Sequence, residues 1–353
     1  MRIPRRGGTG TRTGTRMVRR VRLLRSLAVL TSFFLIIGGV SCRGRGEPSE
    51  ETCSERSSTV LPASVEEVRR LLSSADPNDR LEALGMMPKL ADAALLPELE
   101  EGMMDRSEPI RKICTSALVE IGQPALPVLT RALTHPDWRV RNNAVVAIGH
   151  IKRGEAVPLL EGMIHDPHER VRIATVEVMA AIGGENVAQF LIEQAKEQPP
   201  GVRIEICKAL GKLGTDSALK TLCTFFSDEH FSVRYYAAEA IVLGGDRAVP
   251  HLIHTVENSQ DVTARALAAR ALGIIGNPAA LDPLTGALED PSPAVRRLAV
   301  WSLGNIGAWE AQTALEEMRK RGSWSERRHA QYALDEINRR LFIETESPAS
   351  RMY

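Results

Sequence analysis

Histidine and cysteine are the residues of this chain best suited to acid–base, nucleophilic or metal chemistry, and their spacing gives little support to any of the three. His135, His165, His168 and His230 stand in short polar stretches, and the densest set is His165-Asp166-Pro167-His168-Glu169. It offers a single adjacent His-Glu pair, too few ligands for a di-iron centre, and polar residues of these types are ordinary in turns. The sequence contains no Gly-x-x-x-x-Gly-Lys-Ser/Thr loop to cradle phosphate, no Gly-x-Ser-x-Gly elbow and no His-Glu-x-x-His helix. The expectation is a chain with no catalytic site, no metal and no cofactor.

The five cysteines divide by context. Cys42 follows an apolar run, and Cys53 lies in a polar stretch. Cys114 falls at a core position of its helix, where a thiol behaves as a small hydrophobe. Cys207 and Cys223 flank the Gly214-Thr215 turn by seven and eight residues, which sets them opposite each other in an antiparallel helix pair. Two readings stay open there: two buried thiols, or a disulfide if the chain is exported to an oxidising compartment.

What must position these residues is a repeat. An arginine returns at Arg80, Arg111, Arg141, Arg172, Arg203, Arg234, Arg265, Arg296 and Arg327, with gaps of 31, 30 and then 31 six times. Counting from each arginine, small or apolar residues fall at +3 and +6, an apolar one at +7, and glycine often at +8 and +11. Arg265, for example, leads to Ala268, Ala271, Leu272, Gly273 and Gly276. That rhythm predicts a helix with one buried stripe, closed by glycine, which adopts the left-handed stop without steric penalty. A second helix begins a few residues later, often with proline in its first turn (Pro127, Pro158, Pro250), where the missing amide costs nothing. It runs to a turn marked by Asp105, Asp166, Asp228 or Asp290, each six residues before the next arginine.

This pattern resembles the HEAT repeat, specifically the short HEAT-like repeat also found in phycobilin lyases, over roughly residues 64–340. The resemblance implies an all-α fold, a right-handed α-α superhelix (solenoid) of about nine repeats. It also implies a ladder in which Asp105, Asp166, Asp228 and Asp290 pair with the repeating arginines. His135, Glu197 and Ser259 stand where aspartate is expected, and Lys152 replaces a closing glycine, so looser rungs are expected there. One helix pair cannot bury its own apolar face, and stacking neighbours into a continuous core is the physical reason for repetition.

The residues left to face a partner are those at +1 and +5 of each arginine-bearing helix. Toward the C-terminus they combine into Tyr235, Arg270, Arg297, Trp301, Arg328 and Tyr332, a mixture of aromatic and arginine side chains enriched in binding hot spots. A second ridge, at −3, would hold Trp138, Phe231 and Trp324. The expected partner is a protein or peptide along the concave face. The alternative is a lyase-like or chaperone-like protein that holds a small ligand, such as a tetrapyrrole, in the groove.

The N-terminus is of another kind. Residues 1–42 hold nine arginines, no lysine and no acid, with an apolar run from Leu27 to Val40 before Ser41-Cys42. A basic region, a short apolar stretch and small residues describe an export signal, and Cys42 resembles the acylated cysteine of bacterial lipoproteins. Gly39 departs from that pattern where leucine is usual, and Met17 would be an alternative start. The expected organisation is a signal peptide at 1–42, a flexible tether at 43–62, the solenoid at 63–341 and a tail at 342–353. The expected place is the cell envelope, membrane-anchored through lipid, or else periplasmic or secreted. Loss of 1–42 takes nine of the 45 basic residues and leaves 36 against 44 acidic ones, a charge of −8. Such a domain lacks the basic footprint of a nucleic-acid binder.

Overall fold

A computed structural model describes residues 64–307 and 309–345. All regular structure among them is helical. Cys42, the apolar run before it and the tether lie outside the described residues.

Each arginine of the series sits on its own helix, and these helices form one row: Pro77–Leu90, Glu108–Ile121, Trp138–Lys152, Glu169–Ile182, Pro200–Leu213, Phe231–Val242, Val262–Ile275, Pro293–Ile306 and Trp324–Thr345. Each packs beside its predecessor and against the shorter helix that leads into it. The last helix runs through Thr345, a few residues beyond the boundary at 341 expected from the repeat pattern. Positions +3 and +7 are buried without exception, from Ala83 and Met87 through Ala268 and Leu272 to Ala330 and Leu334. Neighbouring stripes merge into a single continuous core along the stack.

In every unit before the last except that of Arg141, the residue at the closing position has positive φ. Gly122, Gly183, Gly214, Gly245, Gly276 and Gly307 have positive φ, and so has Ala91 at φ 46°; Ala91, Gly214, Gly276 and Gly307 are left-handed helical. Lys152 does not close its helix. The helix continues one residue further, and Arg153 makes the turn at φ 48° with its amide on the Gly149 carbonyl.

The ladder is present, and it alternates. From Arg80 to Arg296 every arginine of the series donates Nη1 to backbone carbonyls five or six residues earlier, closing its own turn. The other edge of the guanidinium can reach forward 25 residues into the next turn. It finds a carboxylate at Asp166 from Arg141, Asp228 from Arg203 and Asp290 from Arg265. Arg111, Arg172 and Arg234 meet His135, Glu197 and Ser259 instead, and among the described residues no ion pair forms there. Nε of Arg172 is buried without a partner. Asp105 takes no arginine among the described residues; its carboxylate accepts the Ser107 amide at 2.6 Å.

That last contact explains which substitutions the turn accepts. The side chain six residues before the arginine caps the amide two residues on, as Asp166 and Asp290 do. His135 does so through Nδ1 at 3.0 Å and Ser259 through its hydroxyl at 3.2 Å. They keep the local cap and give up the reach to the preceding unit.

The cysteine pair is not bonded. Cys114, Cys207 and Cys223 are free thiols. Cys207 lies in the core near Arg203 and Asp228, whereas Cys223 turns toward Thr255 of the following unit, so facing positions across the turn did not bring the sulfurs together. Burial pushes the Cys207 thiol up to about 12 and that of Cys223 up to about 11.

Candidate binding face

On an α-helix, residues four apart share a face. From each repeating arginine the outward positions are −3, +1, +5 and +9. In the C-terminal units they read Phe231, Tyr235, Glu239, Leu243; Val262, Ala266, Arg270, Ile274; Pro293, Arg297, Trp301, Asn305; and Trp324, Arg328, Tyr332, Glu336. Because successive helices pack side by side, the four rows form a grid.

Every residue expected to face a partner lies on it. Tyr235, Arg297, Trp301, Arg328 and Tyr332 are exposed, and Arg270 is half-buried. Trp301 is 39% exposed, Tyr332 58% and Trp324 69%, a large aromatic surface for a chain with few aromatic residues. The +1 column is not uniformly outward, since Ala266 is buried. Its methyl group is short enough for the flanking helices to close over it.

The units communicate across this face. Arg270 donates to Glu239 at 3.2 Å, joining the +5 positions of adjacent helices. Tyr235 meets Tyr236 edge-on at 5.4 Å, and the Lys208 ammonium sits 4.7 Å above the Tyr236 ring. At the C-terminal end the Arg328 guanidinium lies 5.6 Å from both the Trp324 and Tyr332 rings and donates to the Tyr332 hydroxyl at 3.2 Å. Cation–π contact on two rings fixes the guanidinium without discharging it.

Sequence reasoning named the −3 ridge for its aromatic residues alone and did not extend the face to +9. Val262 at −3 and Leu243 and Ile274 at +9 are exposed; reading −3 for apolar as well as aromatic residues and continuing the four-residue step to +9 would have found them. The −3 ridge splits. Phe231 and Trp324 are exposed, whereas Trp138 stacks on His168 of the next unit at 4.0 Å, with planes 5° apart. Arg139 and Arg170 flank that indole.

An open concavity of about 640 Å³ lies beside Trp138, bordered also by Arg111, Asn142 and Glu177. The Glu177 carboxyl is pushed up by burial and by the neighbouring Glu205. Among the described residues no three His, Cys, Asp or Glu side chains converge as a metal site.

The comparisons with known proteins concern the repeat fold that carries this face. A family model described as HEAT repeats matches residues 65–147, 126–201, 188–266 and 249–335. No curated protein matches the sequence. Among solved structures, a Kap121p mutant is 14% identical over 79% of this chain and 38% of its own, with a TM-score of 0.52. The YibA protein of E. coli is 18% identical over 75% of this chain and 98% of its own, at a TM-score of 0.42. Human deoxyhypusine hydroxylase is 17% identical over 72% of this chain and 99% of its own, at 0.32. At these identities the likeness to Kap121p concerns the fold.

Proposed function

The chain belongs to the HEAT-repeat family, and from that premise we propose that it is a non-catalytic scaffold that holds another protein along the concave side of its solenoid. The docking surface is the grid at the C-terminal end, with Tyr235, Arg270, Arg297, Trp301, Arg328 and Tyr332 as its anchors. The observation that carries this reading is the exposure of Trp301 and Tyr332 beside Arg297 and Arg328 on consecutive helices. Large aromatic groups and arginines dominate interface energetics, and a soluble surface seldom leaves so many together without use.

Within that family, the 31-residue period resembles the short HEAT-like repeat of the phycobilin lyases. The place of this chain is the bacterial envelope, with Cys42 acylated and residues 43–62 acting as tether. The basic segment, the apolar run from Leu27 to Val40 and the Ser41-Cys42 junction support that assignment.

The test is affinity capture from detergent-solubilised envelope with the wild-type protein and with Arg297→Ala/Trp301→Ala. The double variant, checked for unchanged helicity, loses the wild-type partner. An identical set of captured proteins from both would remove this face.

A further inference from the structure

Arg297 and Arg328 occupy the same position of successive units. Three carboxylates of these units are already engaged: Arg296 holds Glu326 at 2.6 Å, Arg339 pairs with Glu336, and Arg270 takes Glu239. Among the described residues, neither Arg297 nor Arg328 has a carboxylate within ion-pair reach. Arg328 is nonetheless held in place by Trp324 and Tyr332. Two positive charges without a carboxylate, Arg328 held against Trp324 and Tyr332 and Arg297 exposed one turn before Trp301, call for an anionic partner with apolar surface between its charges.

Spacing restricts that partner further. Packed helices lie about 8–10 Å apart, so this is the separation between equivalent positions in adjacent units. A polyproline II segment rises about 3.1 Å per residue with three residues per turn. Its residues i and i+3 therefore point the same way about 9 Å apart. A β-strand, whose side chains alternate, points i and i+3 to opposite faces. Exposed aromatic surfaces are also what proline-rich segments dock on.

We infer that the occupant of this face is an acidic, proline-rich protein segment in polyproline II conformation, with carboxylates three residues apart meeting Arg297 and Arg328 and the intervening prolines resting on Trp301, Trp324 and Tyr332. The inference rests on the scaffold reading above and names the chemistry of its partner.

The experiment measures fluorescence anisotropy of labelled synthetic peptides against the full chain. The probe is a twelve-residue peptide of repeating Glu-Pro-Pro, compared with a Gln-Pro-Pro version and with one whose glutamates stand four residues apart. The Glu-Pro-Pro peptide binds best and weakens as salt is raised. Arg297→Ala and Arg328→Ala each weaken it about tenfold, and Arg106→Ala, an exposed arginine outside the grid, leaves it unchanged. Equal binding of the glutamine peptide, indifference to glutamate spacing, or full binding by both arginine variants overturns the inference. Anionic lipid vesicles that bind through the same two arginines while the peptide does not would also overturn it, in favour of a membrane surface. If neutral peptides bind and Trp301→Ala alone abolishes them, the charge chemistry is wrong while the docking face stands. If no peptide depends on Trp301 and envelope capture is also unaffected, the docking face itself is wrong.

Discussion

Arg141 grips Asp166 through two parallel hydrogen bonds, Nε to Oδ2 at 2.6 Å and Nη2 to Oδ1 at 2.8 Å. The same guanidinium donates Nη1 to the His135 carbonyl at 2.7 Å. One side chain thus ties its own turn to the next. Asp166 is 6% exposed, so removing it strands a buried cation, a defect that typically costs about 3 kcal/mol. We expect Asp166→Ala to destabilise by roughly that amount and Glu197→Ala, at the equivalent but exposed and unpaired position, to stay within about 0.5 kcal/mol. Repeat arrays need not unfold as one unit, so hydrogen exchange around residues 141–172 is the appropriate measurement. Equal protection in the two variants would refute the alternation.

The same pairs set the response to acid. Burial pushes the Asp166 and Asp290 carboxyls up, but the hydrogen bonds from Arg141 and Arg265 and from nearby backbone amides outweigh it and hold both below the usual range. Glu326 is likewise lowered, with the Ser323 backbone amide and Arg296 overcoming burial. A folded-state value below the unfolded one, about 3.9 for Asp and 4.3 for Glu, stabilises fully above that pH and progressively less as pH falls through the folded value. Urea midpoints should hold steady from neutrality to about pH 5 and drop below about pH 4. The drop should be shallower in Asp166→Asn, which has no proton to take up there.

The extent to which all this was legible follows from which interactions are local. The arginine period, the buried +3 and +7 stripes and the glycine stops depend on residues within one helix, and each appears where the spacing put it. The alternation was half visible in His135, Glu197 and Ser259. Two features hid the rest: the arginine closes its own turn through backbone carbonyls, which leave no trace in side-chain identity, and it seeks its carboxylate in the following unit. Glu326 was missed because it substitutes from a different position. It accepts the Ser323 amide in a capping box at 2.7 Å and Arg296 at 2.6 Å, replacing the aspartate that Arg321 displaces from the usual place. On the outward grid, only the step of four could identify the positions, and it was followed over too few turns.

The missing stop glycine at Lys152 has a measurable consequence. Arg153 makes the turn at φ 48° and ψ −121° in its stead, a positive-φ conformation outside the left-handed helical region that costs a residue with a Cβ about 1–3 kcal/mol. Glycine escapes that penalty but brings more unfolded-state entropy. We expect Arg153→Gly to stabilise by about 0.5–1 kcal/mol, read as a higher urea midpoint. Arg153→Val, with a branched Cβ in the same turn, should shift it the other way.

Gly273 sets how closely the Arg265 and Arg296 helices approach. A Cβ built on it would stand 2.6 Å from the Cα of Ser302, backbone that cannot swing aside. The same contact lets the buried Ser302 hydroxyl donate to the Ala269 carbonyl at 2.7 Å, a bond between units. A Cβ built on Gly211 would likewise stand 2.6 Å from the Ala240 carbonyl oxygen. Overpacking of this kind costs about 1–3 kcal/mol, and here it must also push two units apart and loosen the bond from Ser302. We therefore expect Gly273→Ala to destabilise by more than the gain in helix propensity can offset, about 1 kcal/mol. Gly286→Ala, where nothing lies within 4 Å of the added methyl, should be neutral or slightly stabilising. Because Arg270 and Trp301 stand on the two helices that Gly273 brings together, the Gly273→Ala protein should also bind its partner more weakly, and retention of full affinity would mean that the face tolerates a change in helix spacing.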